Sequence, residues 1–196
     1  MPGLGLLAVL LPLAETSSLL FCSRAGASAL GQPLIQALES YGASNCFQQP
    51  LLATVTAILA QPPARQLAAV QGGDADPETV QALLSLLSCC LRQARQWRSV
   101  SAPAAIEAVL TLGLPLAAGN AACNHRDTAV QAVGTLSALV ALVLEVRNPL
   151  HGALLGFAAR QGPTIMQGLL LALLTLSSAG SSLPKVWHKM GLLLYC

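Results

Sequence analysis

The sequence predicts an all-α protein, and three observations carry that prediction: composition, punctuation and the spacing of apolar residues. Of 196 residues, 54% are hydrophobic, 9% charged and 4% aromatic. Ala and Leu dominate and are strong helix formers, whereas the β-branched and aromatic residues that favour strands are sparse. Proline, glycine and polar clusters cut the chain into helix-length pieces, within which apolar residues recur at three- and four-residue steps.

The first piece runs from about Leu4 to Ala14, with Leu4, Leu7, Ala8 and Leu11 on one face. It also resembles the apolar region of a signal peptide, with Ala25-Gly26-Ala27 as a cleavage site. However, no Lys or Arg precedes it, and Glu15 and Arg24 interrupt the run. A second helix is predicted from Ala27 to Tyr41, stopped by Gly42. A third, Cys46 to Ala60, ends at Gln61-Pro62-Pro63, because a residue before proline is pushed out of the helical region. A polar loop spans residues 61–76.

Asp76-Pro77-Glu78 combines a capping side chain, a proline at the first helical position and an acid facing the positive end of the helix dipole. Behind it Val80, Leu83, Leu84, Leu87, Cys90, Leu91, Ala94 and Trp97 form one apolar stripe. The next helix opens at Ser101 and Pro103, tolerates Pro115 and stops near Gly119-Asn120. Arg126-Asp127 opens another, with Val130, Val133, Leu136, Leu139, Val140, Val143 and Leu144 predicted inward. Asn148-Pro149 repeats the cap-plus-proline device, and Gln161-Gly162-Pro163 is predicted to break the chain before Ile165 to Leu176. Ser182-Leu183-Pro184 opens a last helix through Trp187 to Tyr195.

Cap signals at Asp76 and Asp127 recur after about fifty residues, near the period of a two-helix HEAT or armadillo unit. The expected architecture is therefore a right-handed α-solenoid, with residues 1–196 forming one array of about four helix pairs. In such an array each pair buries its apolar face only against its neighbours, and an uncapped end drives association.

A net charge of +2, with 10 Lys and Arg scattered along the chain, gives no electrostatic footprint for direct nucleic-acid binding. Six cysteines (Cys22, Cys46, Cys89, Cys90, Cys123 and Cys196) contain no C-x-x-C pair. Several fall on apolar faces, where free Cys behaves as a small hydrophobe, so reduced thiols are expected. Mean hydropathy is +0.63, which raises the alternative of a small membrane protein with helical spans near 128–144 and 164–181. Against it, the apolar heart of the second stretch is only about half the twenty residues a span needs. The first is short and carries Gln131.

Nothing in type and spacing points to catalysis. Among the histidines only His125 has a metal-ligand neighbour, Cys123, two ligands short of a zinc site. No P-loop, nucleophile elbow or H-E-x-x-H is present. Gly3-x-Gly5-x-x-Ala8 matches a dinucleotide fingerprint only superficially, without a preceding strand. No cofactor is expected. The arginine trio Arg92, Arg95 and Arg98 is the one candidate protein-binding site, suited to an acidic or phosphorylated partner. Its plainer reading is a solvated helix end that complements the dipole.

Three stretches carry a resemblance. Leu34-Ile35-Gln36-Ala37-Leu38-Glu39-Ser40-Tyr41-Gly42 ends a helix in an acidic-Tyr-Gly signature. Asn124-His125-Arg126-Asp127 supplies a His-Arg-Asp helix start, and Ser182-Leu183-Pro184-Lys185-Val186 a Leu-Pro-x-Val opening. In order and approximate spacing they resemble importin-β-type karyopherins of the transportin-three/importin-thirteen group, in the C-terminal HEAT-repeat region, from about Ala27 onward. The chain departs from that pattern at Lys185, where the family has an acid, and in a shortened segment between Leu144 and Gly162. The resemblance implies a fragment of a nuclear transport receptor in nucleus and cytoplasm. It also implies protein cargo such as arginine/serine-rich splicing factors, contact with nucleoporins, and Ran GTPase bound through repeats N-terminal to those matched.

Overall fold

The computed structural model describes residues 24–41, 45–61, 64, 76–97 and 103–178. Among them are six α-helices and no strand: α1 (Arg24–Tyr41), α2 (Asn45–Ala60), α3 (Pro77–Gln96), α4 (Pro103–Asn120), α5 (Arg126–Val143) and α6 (His151–Ser178). The expected helices at 4–14 and 184–195, and most of the loop at 61–76, lie outside the described residues.

The helix α3 starts as its sequence dictates. The Asp76 carboxylate accepts from the Thr79 backbone N–H at 3.1 Å, Pro77 stands at the first helical position and Glu78 in the first turn. All eight residues of its predicted stripe are buried, from Val80 to Trp97. Because Leu86 and Cys89 are also 0% exposed, α3 is covered on more than one side, as a central element must be.

Packing obeys a rule of alternation. The helix α3 packs most extensively on α1 and α5, while α4 packs on α2 and α6; contacts between the two sets link α4 and α6 to α5. Odd helices therefore form one row and even helices a second, with the apolar core between and within them. A polar seam fixes the register of α3 against α5. Gln81 Nε2 donates to Thr128 Oγ1 at 3.1 Å, Gln131 Nε2 to Ser85 Oγ at 3.3 Å, and Thr135 Oγ1 to the Leu84 carbonyl at 3.4 Å. Residues 128, 131 and 135 share one face of α5 because they stand three and four apart.

Prolines stand inside four of these helices, and at Pro163 the expected break does not occur: α6 runs unbroken to Ser178. Two features permit this. Gly162 has no Cβ to clash with the proline ring, and exposed Ala159, whose carbonyl loses its partner, stands on the outer face where water reaches. The second correction concerns the start of α6. Asn148 and Pro149 form a turn and the helix begins at His151, with the Leu150 carbonyl accepting its first bond from Leu154 at 2.9 Å.

A third correction concerns α5. Val133, Leu136 and Leu139 are buried and Val140 and Val143 pack against the core, but Val130 and Leu144 are 50% and 49% exposed. Both lie away from the side that carries Ala132 and Leu136, so α5 is apolar on two faces and covered on one. No helix among the described residues is long and apolar enough to cross a membrane. That holds for α5 and α6, the helices that carry the alternative spans near 128–144 and 164–181.

Candidate interaction surface

Two of the three arginines singled out by the sequence lie side by side near the C-terminal end of α3. Arg92 reaches Glu39 of α1 and Arg95 reaches Glu145 just beyond α5, each with a guanidinium nitrogen 3.6 Å from a carboxylate oxygen. The arginines of the middle helix thus tie it to both neighbours in the odd row. Arg98 lies outside the described residues. The even row has its counterpart in Arg160 of α6, paired with Glu107 of α4. All six side chains are about half exposed, and such pairs contribute only about 0.2–1 kcal/mol each. An incoming anion can therefore replace either glutamate at little cost, which keeps the edge chemically available.

Beneath this edge sits a polar contact that the spacing of residues does not announce. Asn148 is buried, its amide nitrogen donates to the Ala94 carbonyl at 2.7 Å, and its oxygen accepts from the Leu150 N–H at 2.9 Å. The carbonyl of Ala94 belongs to the last turn of α3, where helix geometry leaves acceptors unpaired. His151 adds a second clasp, its Nδ1 donating to the Val143 carbonyl at 3.0 Å. Together they hold the α5–α6 connection, and with it Glu145, against the end of α3.

Cys89, Cys90 and Cys123 are free and buried. Burial pushes all three thiols above the ordinary value of 9.0, Cys90 most strongly, while the Arg92 guanidinium pulls Cys89 partly back. None has the lowered pKa that a nucleophilic thiol needs. Cys123 donates to the carbonyl of His125 at 3.3 Å, so the Cys123-x-His125 pair is engaged locally through its backbone. No group of three or more metal-ligating side chains occurs among the described residues. Gly3 and Gly5 lie outside them.

An open pocket of about 190 Å³ lies between α4 and α6, lined by Pro115, Ala118, Gly119, Thr164, Gln167, Gly168 and Leu171. Nothing that lines it titrates. The two helices approach closely beside it: a Cβ on Gly168 would stand 3.0 Å from the Cα of Ala118 and 3.1 Å from Leu136.

Several large apolar side chains are exposed on α5 and α6. On α6, Leu155, Met166 and Leu170 are exposed, and Val130, Leu144 and Val146 join them on and after α5. Leu155, Ala159, Pro163, Met166 and Leu170 succeed one another at steps of three and four and form a single outward stripe. The buried stripe of α6, Leu154, Phe157, Ile165 and Leu169, occupies the other side. Reading each apolar position as core hides this surface; the signal for it is that α5 and α6 have apolar residues on both faces. Among the described residues, nothing of another helix lies within 4 Å of a Cβ at Gly152 or Gly156.

Comparison with known proteins returns no matching family model, no similar curated protein and no similar solved structure.

Proposed function

We propose that the chain is a stretch of HEAT/armadillo-type right-handed α-solenoid and acts as a protein-binding module of a nuclear transport receptor. The observation that carries this reading is the alternating packing, α3 on α1 and α5, α4 on α2 and α6. A two-row stack with an interval of about fifty residues is what repeated helix pairs produce. The Glu39-Ser40-Tyr41-Gly42, His125-Arg126-Asp127 and Leu183-Pro184-Lys185-Val186 stretches support the importin-like reading through their order along the chain.

In this reading the arginine edge takes the cargo. Arginine/serine-rich segments become densely anionic when phosphorylated, and a phosphate accepts two parallel bonds from a guanidinium. Arg92 and Arg95 offer that chemistry near the C-terminal end of α3, and Arg98 follows three residues on in the sequence. Phosphate oxygens would displace Glu39 and Glu145 in exchange for stronger charge-assisted bonds. Nucleoporins and Ran GTPase are the further partners of a receptor of this kind, which shuttles between nucleus and cytoplasm.

The test is fluorescence anisotropy of the full chain with a phosphorylated arginine/serine-rich peptide and its unphosphorylated twin. Saturable binding of the phosphorylated form is expected. It should weaken with salt and fall at least about tenfold when Arg92 and Arg95 are both changed to Glu. A folded chain that binds neither peptide overturns the cargo reading.

A further inference from the structure

Between α5 and α6 the Asn148 N–H donates to the Glu145 carbonyl at 2.9 Å. Glu145-Val146-Arg147-Asn148 is therefore a β-turn with Val146 and Arg147 at its centre. Both ends of the turn rest on the last turn of α3. Glu145 meets Arg95 at 3.6 Å, and the Asn148 amide meets the carbonyl of the preceding residue, Ala94, at 2.7 Å. The Asn148 side-chain oxygen then takes the Leu150 N–H at 2.9 Å, an Asx-turn that fixes the exit toward α6. Arg147 is thus held beside Arg95, although fifty-two positions separate them in the sequence.

Neither central residue is one that turn chemistry selects, since Gly, Pro, Asn, Asp and Ser dominate such positions. The anchors set the turn, and its two central side chains are left over. Val146 is 73% exposed and Arg147 is exposed as well. Among the described residues no ion pair or side-chain hydrogen bond engages Arg147. Around it the paired charges are Arg92 with Glu39 and Arg95 with Glu145. Three guanidiniums and two carboxylates leave one positive charge uncompensated, at Arg147.

We infer that Arg147 is a further binding residue of the arginine edge and closes with Arg95 on a single phosphate of the bound segment. The inference rests on the cargo reading and adds to it a residue from outside α3. Two guanidiniums engage more of the three phosphate oxygens than one does. The Glu145 side chain gives way while Asn148 keeps the turn in place, so little ordering accompanies binding.

Fluorescence anisotropy of the full chain with a singly phosphorylated arginine/serine-rich peptide tests this. Arg147→Gln should weaken binding about tenfold. Arg160→Gln, which removes the same charge from the Glu107 pair of the even row, should change it less than about twofold. In a double-mutant cycle the losses from Arg95→Gln and Arg147→Gln should fall well short of multiplying, because both act on one phosphate. Circular dichroism confirms that each variant is folded. Affinity unchanged by Arg147→Gln but lost on changing Arg92 and Arg95 overturns this inference and leaves the cargo reading standing. Equal losses with Arg147→Gln and Arg160→Gln, or losses at Arg95 and Arg147 that multiply, also overturn it. A folded parent chain that binds no phosphorylated peptide overturns both.

Discussion

The side-chain amide of Asn148 and the carbonyl of Ala94 meet at 2.7 Å in the protein interior, and through them the connection after α5 is fastened to the last turn of α3. Ala94 also accepts from the Trp97 N–H at 3.3 Å, so one carbonyl serves both its own helix end and a segment more than fifty residues away. Every buried side-chain nitrogen and oxygen among the described residues has a partner, which makes the loss of any one of them costly.

Asn148→Ala should therefore destabilise the fold by about 1–3 kcal/mol, because the Leu150 N–H loses its partner away from water and the Ala94 carbonyl keeps only the longer bond from Trp97. Asn148→Asp should cost more, since a carboxylate cannot donate to the carbonyl it would face. Urea unfolding monitored by circular dichroism reads both; a midpoint unchanged in the Ala variant would show that water replaces the amide.

Gly168 and Gly134 should respond in opposite directions. Gly168→Val places a branched side chain against the Ala118 backbone and should cost about 1–3 kcal/mol as α4 and α6 are pushed apart. Gly134, in the interior of α5, has open space around its missing Cβ. Gly134→Ala should raise stability by about 0.5–1 kcal/mol through helix propensity alone. Thermal melts of the two variants give the comparison directly.

Releasing the arginines should sharpen the edge of α3. Glu39→Gln and Glu145→Gln remove the carboxylates 3.6 Å from Arg92 and Arg95. Stability should change by less than about 1 kcal/mol, because these pairs are exposed. Affinity for a phosphorylated arginine/serine-rich peptide should rise, most clearly at low salt. Titration of the double variant beside the parent chain checks it, and unchanged affinity would place the peptide elsewhere.

Buried thiols give the stability curve a direction at alkaline pH. Cys89, Cys90 and Cys123 hold their protons in the folded state above the ordinary value of 9.0, whereas an unfolded chain gives them up near it. Unfolding then releases protons, so stability is full below about pH 8.5 and declines as pH rises beyond that. The same thiols should be inert to a thiol reagent until urea exposes them. Unfolding midpoints measured across the neutral to alkaline range test the decline.

Local signals are legible in this sequence and relational ones are not. Asp76-Pro77-Glu78 and the stripe from Val80 to Trp97 can be read because capping and a single buried face are local matters. The arginines of α3 are visible as a cluster, but their partners Glu39 and Glu145 are far away in sequence. Val130 and Leu144 read as core and are not, because periodicity shows that a face is apolar without showing that anything covers it. Pro163 reads as a breaker and is not, because a helix tolerates proline where the orphaned carbonyl meets water. Asn148 reads as a helix cap, whereas its main bond goes to a helix that no spacing rule connects to it.

The alternation of rows has a consequence for how the chain is made. From α3 onward, each described helix packs extensively on the one two helices earlier, about fifty residues back along the chain. As the polypeptide leaves the ribosome, α3 can settle on α1 before α5 exists, and α4 on α2 before α6 does. The main packing partners among the described helices lie at most two helices apart, so assembly can proceed along the chain at the pace of translation. The newest helix is always the one with an uncovered apolar side, and only the arrival of the next relieves it.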